Sequence, residues 1–239
     1  MGTSKNHSTK ENLQVVYEDN HLIVINKRPG DIVQGDKTGD MPLSEVVKEY
    51  IAEKYNKPGA VYLGVVHRLD RPTSGIVLFA KTSKALTRLN KLFAKRETQK
   101  IYWALVKNAP PKAEDTLIHF LKRNPKQNKS NAHIKEVPES KKAILHYKLI
   151  QKLDNYYLLE IELETGRHHQ IRSQLSAIGC PIKGDLKYGF DRSNPDGSIH
   201  LHARKLTLVH PVQKEEFTFD APTPTNVLWD VCKKFRVTK

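Results

Sequence analysis

The chain has 239 residues, and its 38% hydrophobic content is enough to bury a core, which excludes global disorder. Forty Lys and Arg against 26 Asp and Glu give a formal net charge of +14, which indicates a polyanionic partner or simply a solvated basic surface. No apolar run approaches the roughly 18 residues of a membrane span, no secretory h-region is present, and the two cysteines form no disulfide framework, so we expect a cytoplasmic protein without a membrane partner.

The N-terminal half begins with a polar stretch, residues 1–12, which is expected to form a flexible tail. Two short apolar runs, Leu13–Tyr17 and Leu22–Ile25, predict a hairpin. Apolar residues at helical spacing predict an amphipathic helix over residues 43–55. The continuous apolar run Ile76–Ala80 predicts a buried strand.

Beyond this strand, Ser83 is expected to cap a helix, and residues 101–106 predict a further strand. The stretch 122–135 is polar, basic and rich in turn formers, so we expect an exposed loop that either contacts the polyanionic partner or is only solvated. Residues 156–164 alternate between apolar and acidic side chains, which is typical of a strand with one wet face. The remaining predictions are a helix that ends at Gly179, strands over 200–209 and 215–219, and a helix after Thr225.

Strands outnumber helices in this order, and they come in runs rather than in strict alternation with helices. The pattern therefore predicts an α+β fold with a mixed, mostly antiparallel β-sheet flanked by helices.

One short string places an acid among basic residues directly before the buried strand. In HRLDRPTSG, residues 67–75, Asp70 stands between Arg68 and Arg71. Alone, such an acid is more often a surface ion pair or a turn former. The complete string, followed by the apolar strand, resembles the signature of the RluA-like family of RNA pseudouridine synthases.

Two further segments resemble later blocks of this family, in the right order. KIYWALV, residues 100–106, resembles the second block, and TGRHHQIRSQLSAIGCPIKGDLKYG, residues 165–189, resembles the third. His168 stands where the family commonly has threonine. The resemblance spans residues 13–220 and implies the pseudouridine synthase fold, with an active-site cleft across the sheet. Residues 13–239 would form the catalytic domain, without a separate N-terminal RNA-binding module.

The resemblance implies an isomerase that converts uridine in RNA to pseudouridine and needs neither cofactor nor metal. Asp70 matches the family nucleophile, and whether it attacks the sugar or the base stays open. Arg172 matches the arginine that pairs with that aspartate, although its pattern alone fits a helix-surface cation. Tyr102 matches the tyrosine that lies against the target base, although it could equally be a packed strand residue.

The target uridine must leave its stack before reaction, and Arg68 matches the position that enters the vacated space. We expect Arg71, Arg167 and Ile171 to contact the substrate as well. The expected partner is a stem-loop of ribosomal or transfer RNA, bound by a monomer.

Two other classes of function compete with this interpretation. A catalytically silent RNA-binding protein on the same scaffold would have little reason to keep Asp70, and a nucleoside hydrolase usually needs a second acid. Metal binding by the pairs His168-His169 and His200-His202 is not expected, because neither pair has a third ligand at a recognisable spacing.

Overall fold

The computed structural model describes residues 7–36 and 38–234. These residues form two compact units. Of the described residues, unit 1 comprises those up to Thr98 together with Ala203–Pro224, and unit 2 comprises Gln99–His202 together with those from Thr225 onward.

Over its described residues, unit 1 is built on six strands, with two helices. The strand order is β1-β2-β4-β10, while β3 pairs with β4 and β11 pairs with β10. The strands are β1 (Val15–Glu18), β2 (Leu22–Lys27), β3 (Gly64–Val65), β4 (Ser74–Ala80), β10 (Leu201–Val209) and β11 (Glu216–Asp220), and the helices are α1 (Leu43–Lys54) and α2 (Ser83–Lys95).

Every residue of β2 and β4 is buried, which explains why both read as continuous apolar runs. The two strands pair antiparallel, with Ile23 opposite Phe79. The apolar face of α1 packs on this pair through Leu43, Val47 and Ile51. A cationic residue, Lys27, nevertheless ends the apolar strand β2 and is only 1% exposed.

In the part of unit 2 that the structure describes, five antiparallel strands follow the order β5-β9-β8-β6-β7. The strands are β5 (Thr98–Val106), β6 (Glu114–Asn124), β7 (Lys129–His133), β8 (Lys141–Lys152) and β9 (Tyr157–Leu163), and the helices are α3 (Gln170–Ala177), the short 3-10 helix Leu186–Tyr188 and α4 (Val227–Cys232). Its core includes Trp103, Leu105 and Leu158 packed against Trp229 and Cys232 of α4. The predicted α+β class with a mostly antiparallel sheet is confirmed.

Two predictions from local pattern are wrong. The cap of α2 is Thr82 rather than Ser83, since the Thr82 hydroxyl accepts the amide of Ala85 at 3.2 Å. The basic stretch 122–135 is largely a hairpin rather than a loop: β6 and β7 pair through it, and the turn at Pro125–Asn128 joins them. The loop was predicted because nearly all residues of this stretch are polar, so no polar–apolar alternation indicates its strands.

Of the expected tail, residues 1–6 lie outside the described part of the chain. Nδ1 of His7 lies 3.3 Å from the carboxylate of Asp31, and the buried Ser8 donates to the same carboxylate from its backbone amide and its hydroxyl, at 3.0 and 2.6 Å. Residues 7–12 are therefore attached to unit 1 instead of extending from it.

Candidate active site

Asp70 lies in the loop between β3 and β4 of unit 1, and its side chain is partly exposed. The backbone amide of Thr73 donates to the carbonyl of Asp70 at 3.0 Å and closes a four-residue turn. The turn residues of the string therefore keep the acid on a tight bend, accessible from solvent, directly before a fully buried strand.

Both ends of the string around Asp70 are anchored. At the start, a ring nitrogen of His67 accepts the amide of Leu78 at 3.1 Å, and the ring stacks on Phe93. At the end, Gly75 has a φ of +112°, and a Cβ added there would lie 2.3 Å from the carbonyl oxygen of Ala203 on β10. Only glycine fits this approach of two backbones.

A buried lysine lies beneath the loop. The ammonium of Lys27 donates to the carbonyls of Arg28 and Arg71, at 2.9 and 3.1 Å. Burial lowers the pKa of Lys27 to about 7, while the nearby carboxylates of Asp31 and Asp70 act in the opposite direction. Lys27 thus holds the backbone one residue after Asp70 and adds a cation to its surroundings when protonated.

The two arginines that flank Asp70 differ in their environment. Arg68 is exposed. The guanidinium of Arg71 instead donates to Asp40 at 2.6 Å and to the hydroxyl of Thr38 at 2.8 Å, and its carbonyl accepts the amide of Gly30 at 2.8 Å. Arg71 therefore ties the loop to unit 1 through both its side chain and its backbone.

Arg172 lies in the first turn of α3 in unit 2, and its side chain is buried. Its Nε and Nη2 atoms donate to the two carboxylate oxygens of Asp185, at 2.7 and 2.8 Å. The ring of Tyr188 lies 5.0 Å from Cζ of Arg172, which is a cation–π distance. The alternative reading of Arg172 as a surface cation is therefore wrong: the residue is embedded among dedicated partners.

The other expected site residues of unit 2 occupy three different environments. Tyr102 is 9% exposed in β5, opposite Ile161 of β9. Ile171 is buried at 4% exposure. Arg167 is half-buried, and its Nε donates to the carbonyl of Lys142 at 3.1 Å.

The tip of the β6–β7 hairpin is the most basic part of unit 2, since residues 122–135 contain five Lys or Arg and no Asp or Glu. Arg123 and Lys126 are exposed, while Lys122 pairs with Glu139 at 3.4 Å. The ring of His168 contacts the hydroxyl of Ser130 at 2.9 Å. The tip is thus fixed to the segment that carries Arg167 and Arg172.

The structure groups the expected site residues by unit. Arg68, Asp70 and Arg71 share one loop of unit 1; Tyr102, Arg167, Ile171 and Arg172 belong to unit 2. Sequence reasoning missed two residues with clear structural roles. Lys27 could have been noticed as a charge at the end of an apolar strand, and Asp185 as the acid of the GD-x-x-YG ending, but no role followed from either pattern.

Within the part of the chain that the structure describes, no group of three or more His, Cys, Asp or Glu side chains is arranged to hold a metal ion. The rings of His168 and His169 stack on each other at 3.8 Å, and that of His200 stacks on Trp229. Over the same residues, none of the helices has the length and hydrophobicity to cross a membrane.

Comparison with known proteins matches residues 21–177 to the family model of RNA pseudouridylate synthases. The chain is 33% identical over 218 residues to an uncharacterised RNA pseudouridine synthase of Synechocystis, covering 90% of this chain and 66% of that protein. It is also 33% identical over 225 residues to the ribosomal large subunit pseudouridine synthase D of Zymomonas mobilis, covering 90% of this chain and 70% of that one. The solved structure of human RNA pseudouridylate synthase domain containing 4 shares the fold, with a TM-score of 0.75, 23% identity and 92% of each chain covered.

Proposed function

Because the chain belongs to the family of RNA pseudouridylate synthases, which are isomerases acting on RNA, we propose that it converts uridine of ribosomal RNA to pseudouridine with Asp70 as the nucleophile. The observation that carries the proposal is the partly exposed Asp70 on a bend whose backbone is fixed from several sides. Ribosomal RNA is preferred over transfer RNA because the relative from Zymomonas mobilis is named a ribosomal large subunit pseudouridine synthase.

The proposed reaction is an isomerisation without redox change. The bond from ribose C1′ to N1 of uracil breaks, a bond from C1′ to C5 forms, and the proton lost from C5 is balanced by one gained at N1. A carboxylate can form a covalent adduct with the nucleotide, on the sugar or on the base, and so divide a difficult step into easier ones. The residues of the chain suffice for this chemistry, so the mechanism includes no cofactor.

Asp70 must be ionised to attack, and a cation favours the ionised form. We assign this role to Arg172, with Lys27 as a second source of positive charge beneath the loop. Tyr102 would stack on the target uracil and relay a proton through its phenol. Ile171 would supply the apolar wall against the base.

The uridine is extruded from its stack before it reacts. Arg68 is suited to fill the vacated space, because its exposed planar guanidinium can stack and donate hydrogen bonds at once. Arg167 would hold the RNA backbone, and Arg71 would do so only by exchanging its contact with Asp40 for a phosphate. The basic hairpin tip, with Arg123 and Lys126, would extend this contact.

The test uses the purified full chain, with large-subunit ribosomal RNA and transfer RNA as substrates. Asp70→Asn should lower pseudouridine formation by about 10⁴-fold or more, the scale for loss of a nucleophile, while the Kd for ribosomal RNA stays within about twofold. Asp154→Asn, which removes an exposed carboxylate from the turn between β8 and β9, is the control. Near-normal turnover by Asp70→Asn contradicts the nucleophile, and modification of transfer RNA alone contradicts the substrate.

A further inference from the structure

Helix α2 of unit 1 carries a row of cations along one side. Residues three or four positions apart share a face of a helix. In α2 such steps connect four exposed basic residues, which we call the α2 stripe: Lys84, Arg88, Lys91 and Lys95. The α2 stripe spans about 16 Å, at 1.5 Å per residue. No Asp or Glu occurs from Ser83 to Arg96, so the helix contains no acid that balances these charges.

The stability of the helix does not account for this arrangement. Like charges three or four positions apart destabilise a helix, and Lys84 lies in the first turn, where the helix dipole disfavours a cation. Helix α1 shows the ordinary solution, since Glu45 in its first turn pairs with Lys48 at 2.9 Å. A polyanion bound to the α2 stripe would relieve the repulsion among its cations.

The rest of the chain leaves the charges of the α2 stripe largely uncompensated. Among the described residues, no carboxylate oxygen comes within 4.0 Å of the ammonium of Lys84 or Lys91. Lys95 lies 3.7 Å from Glu97, but both side chains are exposed, and water weakens such a pair. Arg88 donates from Nη1 to a backbone carbonyl at 3.2 Å, which orients its side chain without neutralising it. The positive charge of the α2 stripe therefore faces solvent.

Two contacts attach α2 to the segment that leads to Asp70. The ring of Phe93 stacks on that of His67, with 5.2 Å between the ring centroids, and His67 is three residues before Asp70. The side chain of Leu86 packs on Gly64 of β3 so closely that a Cβ added there would lie 2.8 Å from it. The α2 stripe thus has a fixed place next to the loop of the proposed nucleophile, within the same unit.

The residues around the α2 stripe favour one kind of polyanion. Single-stranded nucleic acid stacks its bases on aromatic side chains, but the one aromatic residue of α2, Phe93, packs on His67 instead. A lipid surface requires a free apolar face, whereas Ala85 and Leu89 are fully buried. The exposed residues that flank the α2 stripe are small or polar, namely Thr87, Asn90 and Ala94. These properties suit the phosphate backbone of a nucleic-acid duplex.

We propose that the α2 stripe binds the phosphate backbone of double-stranded RNA that adjoins the uridine presented to Asp70. The inference rests on the proposed function, because the RNA that docks on α2 is the substrate of Asp70. Double-stranded RNA is recognised largely through its shape and its phosphates. The α2 stripe therefore adds affinity and fixes the orientation of the substrate without reading its sequence.

The test compares the full chain with Lys84→Gln/Lys91→Gln/Lys95→Gln, a variant that leaves the backbone contact of Arg88 intact. The probes are large-subunit ribosomal RNA, an RNA duplex of about 16 base pairs, which spans two minor grooves, and single-stranded RNA. On the first two probes, loss of three phosphate contacts should lower the slope of log Kd against log salt concentration by about 2.1 to 2.7. Between about 50 and 200 mM salt, the wild type should then lose about 20- to 40-fold more affinity than the variant.

The matched control is Lys57→Gln/Lys148→Gln/Lys152→Gln, which removes three exposed cations outside α2 and should keep the wild-type slope. An equal loss of slope in this control would show that only the net charge matters, and it would overturn the inference. An α2 variant with the wild-type slope, or with a loss confined to single-stranded RNA, would also overturn it. So would a variant that loses binding to phosphatidylserine vesicles but keeps binding to the duplex.

The same measurements separate this inference from the proposed function. If Asp70→Asn retains turnover while the α2 variant loses slope as expected, the nucleophile is wrong and the RNA-docking surface is supported. If Asp70→Asn is inactive and the α2 variant keeps the wild-type slope, the docking surface alone is wrong.

Discussion

The loop of Asp70 and the segment of Arg172 show two ways of fixing a proposed catalytic side chain. The loop is held mainly through its backbone: Lys27 and Gly30 both donate to the carbonyl of Arg71. The segment is held through the side chain itself, by the bidentate contact of Asp185. A nucleophile must approach its substrate, so its carboxylate cannot be enclosed, whereas a supporting cation can be oriented by a permanent partner.

Because Arg172 is held through its own side chain, its substitution should cause the larger loss of kcat. Arg172→Lys keeps the charge but cannot form the bidentate contact, so kcat should fall by about 10²- to 10³-fold, the range for loss of a preorganised group. Steady-state kinetics at saturating RNA measures this. A lysine variant with wild-type kcat would show that catalysis needs only the charge at this position. The difference between the Asp70 loop and the Arg172 segment would then have no functional consequence.

Because Lys27 holds the Asp70 loop only through backbone carbonyls, its substitution should lower kcat by less. Lys27→Met fills the same space but cannot donate to the carbonyls of Arg28 and Arg71. Since Gly30 still holds the loop, we expect a kcat reduction of about 10-fold, below the roughly 10²-fold that a 1 Å displacement can cause. Single-turnover rates would measure it, with the isosteric exposed variant Lys57→Met as control. A loss greater than that of Arg172→Lys would reverse the comparison.

Charge removal at the hairpin tip should change binding rather than chemistry. In Arg123→Gln/Lys126→Gln, the slope of log Kd against log salt concentration should fall by about 1.4 to 2, the contribution of two phosphate contacts, and kcat should be retained. Lys148→Gln, on an outward position of β8 opposite Glu160, is the control. An unchanged slope would identify the tip as a solvated surface only.

The last prediction concerns the pH dependence of stability rather than activity. Burial lowers the pKa of Lys27 to about 7 in the folded state, while the unfolded chain keeps the ordinary value of 10.5. The unfolded state therefore binds more protons between these pH values, and stability rises with pH across that window, by at most about 1.4 kcal/mol per pH unit. Urea unfolding from pH 7 to 10 should show a weaker rise in Lys27→Met. If stability rises equally with pH in the wild type and in Lys27→Met, the lowered pKa of Lys27 is contradicted.

The comparison also shows what the sequence could reveal. The turn residues, the acid and the apolar strand around Asp70 are adjacent in the sequence, so the sequence predicts them together. The elements β2, β4, β9 and α1 are likewise predicted from local patterns of apolar residues. Asp185 is 13 residues from its arginine and Lys27 is 44 from the carbonyl that it binds. Such contacts follow from the folded chain and leave no local pattern. The hairpin escaped for another reason: in β6 the polar His119 is buried between Leu117 and Leu121 while the apolar Ile118 is exposed, so no polar–apolar alternation is visible.

The most direct test maps pseudouridines in total RNA from cells that lack the gene, complemented with the wild-type chain or with Asp70→Asn at equal protein levels. The account predicts that one or more sites in large-subunit ribosomal RNA lose the modification, regain it with the wild-type chain and stay unmodified with the Asn variant. Restoration by Asp70→Asn, or an unchanged ribosomal map in the deletion strain, would contradict it.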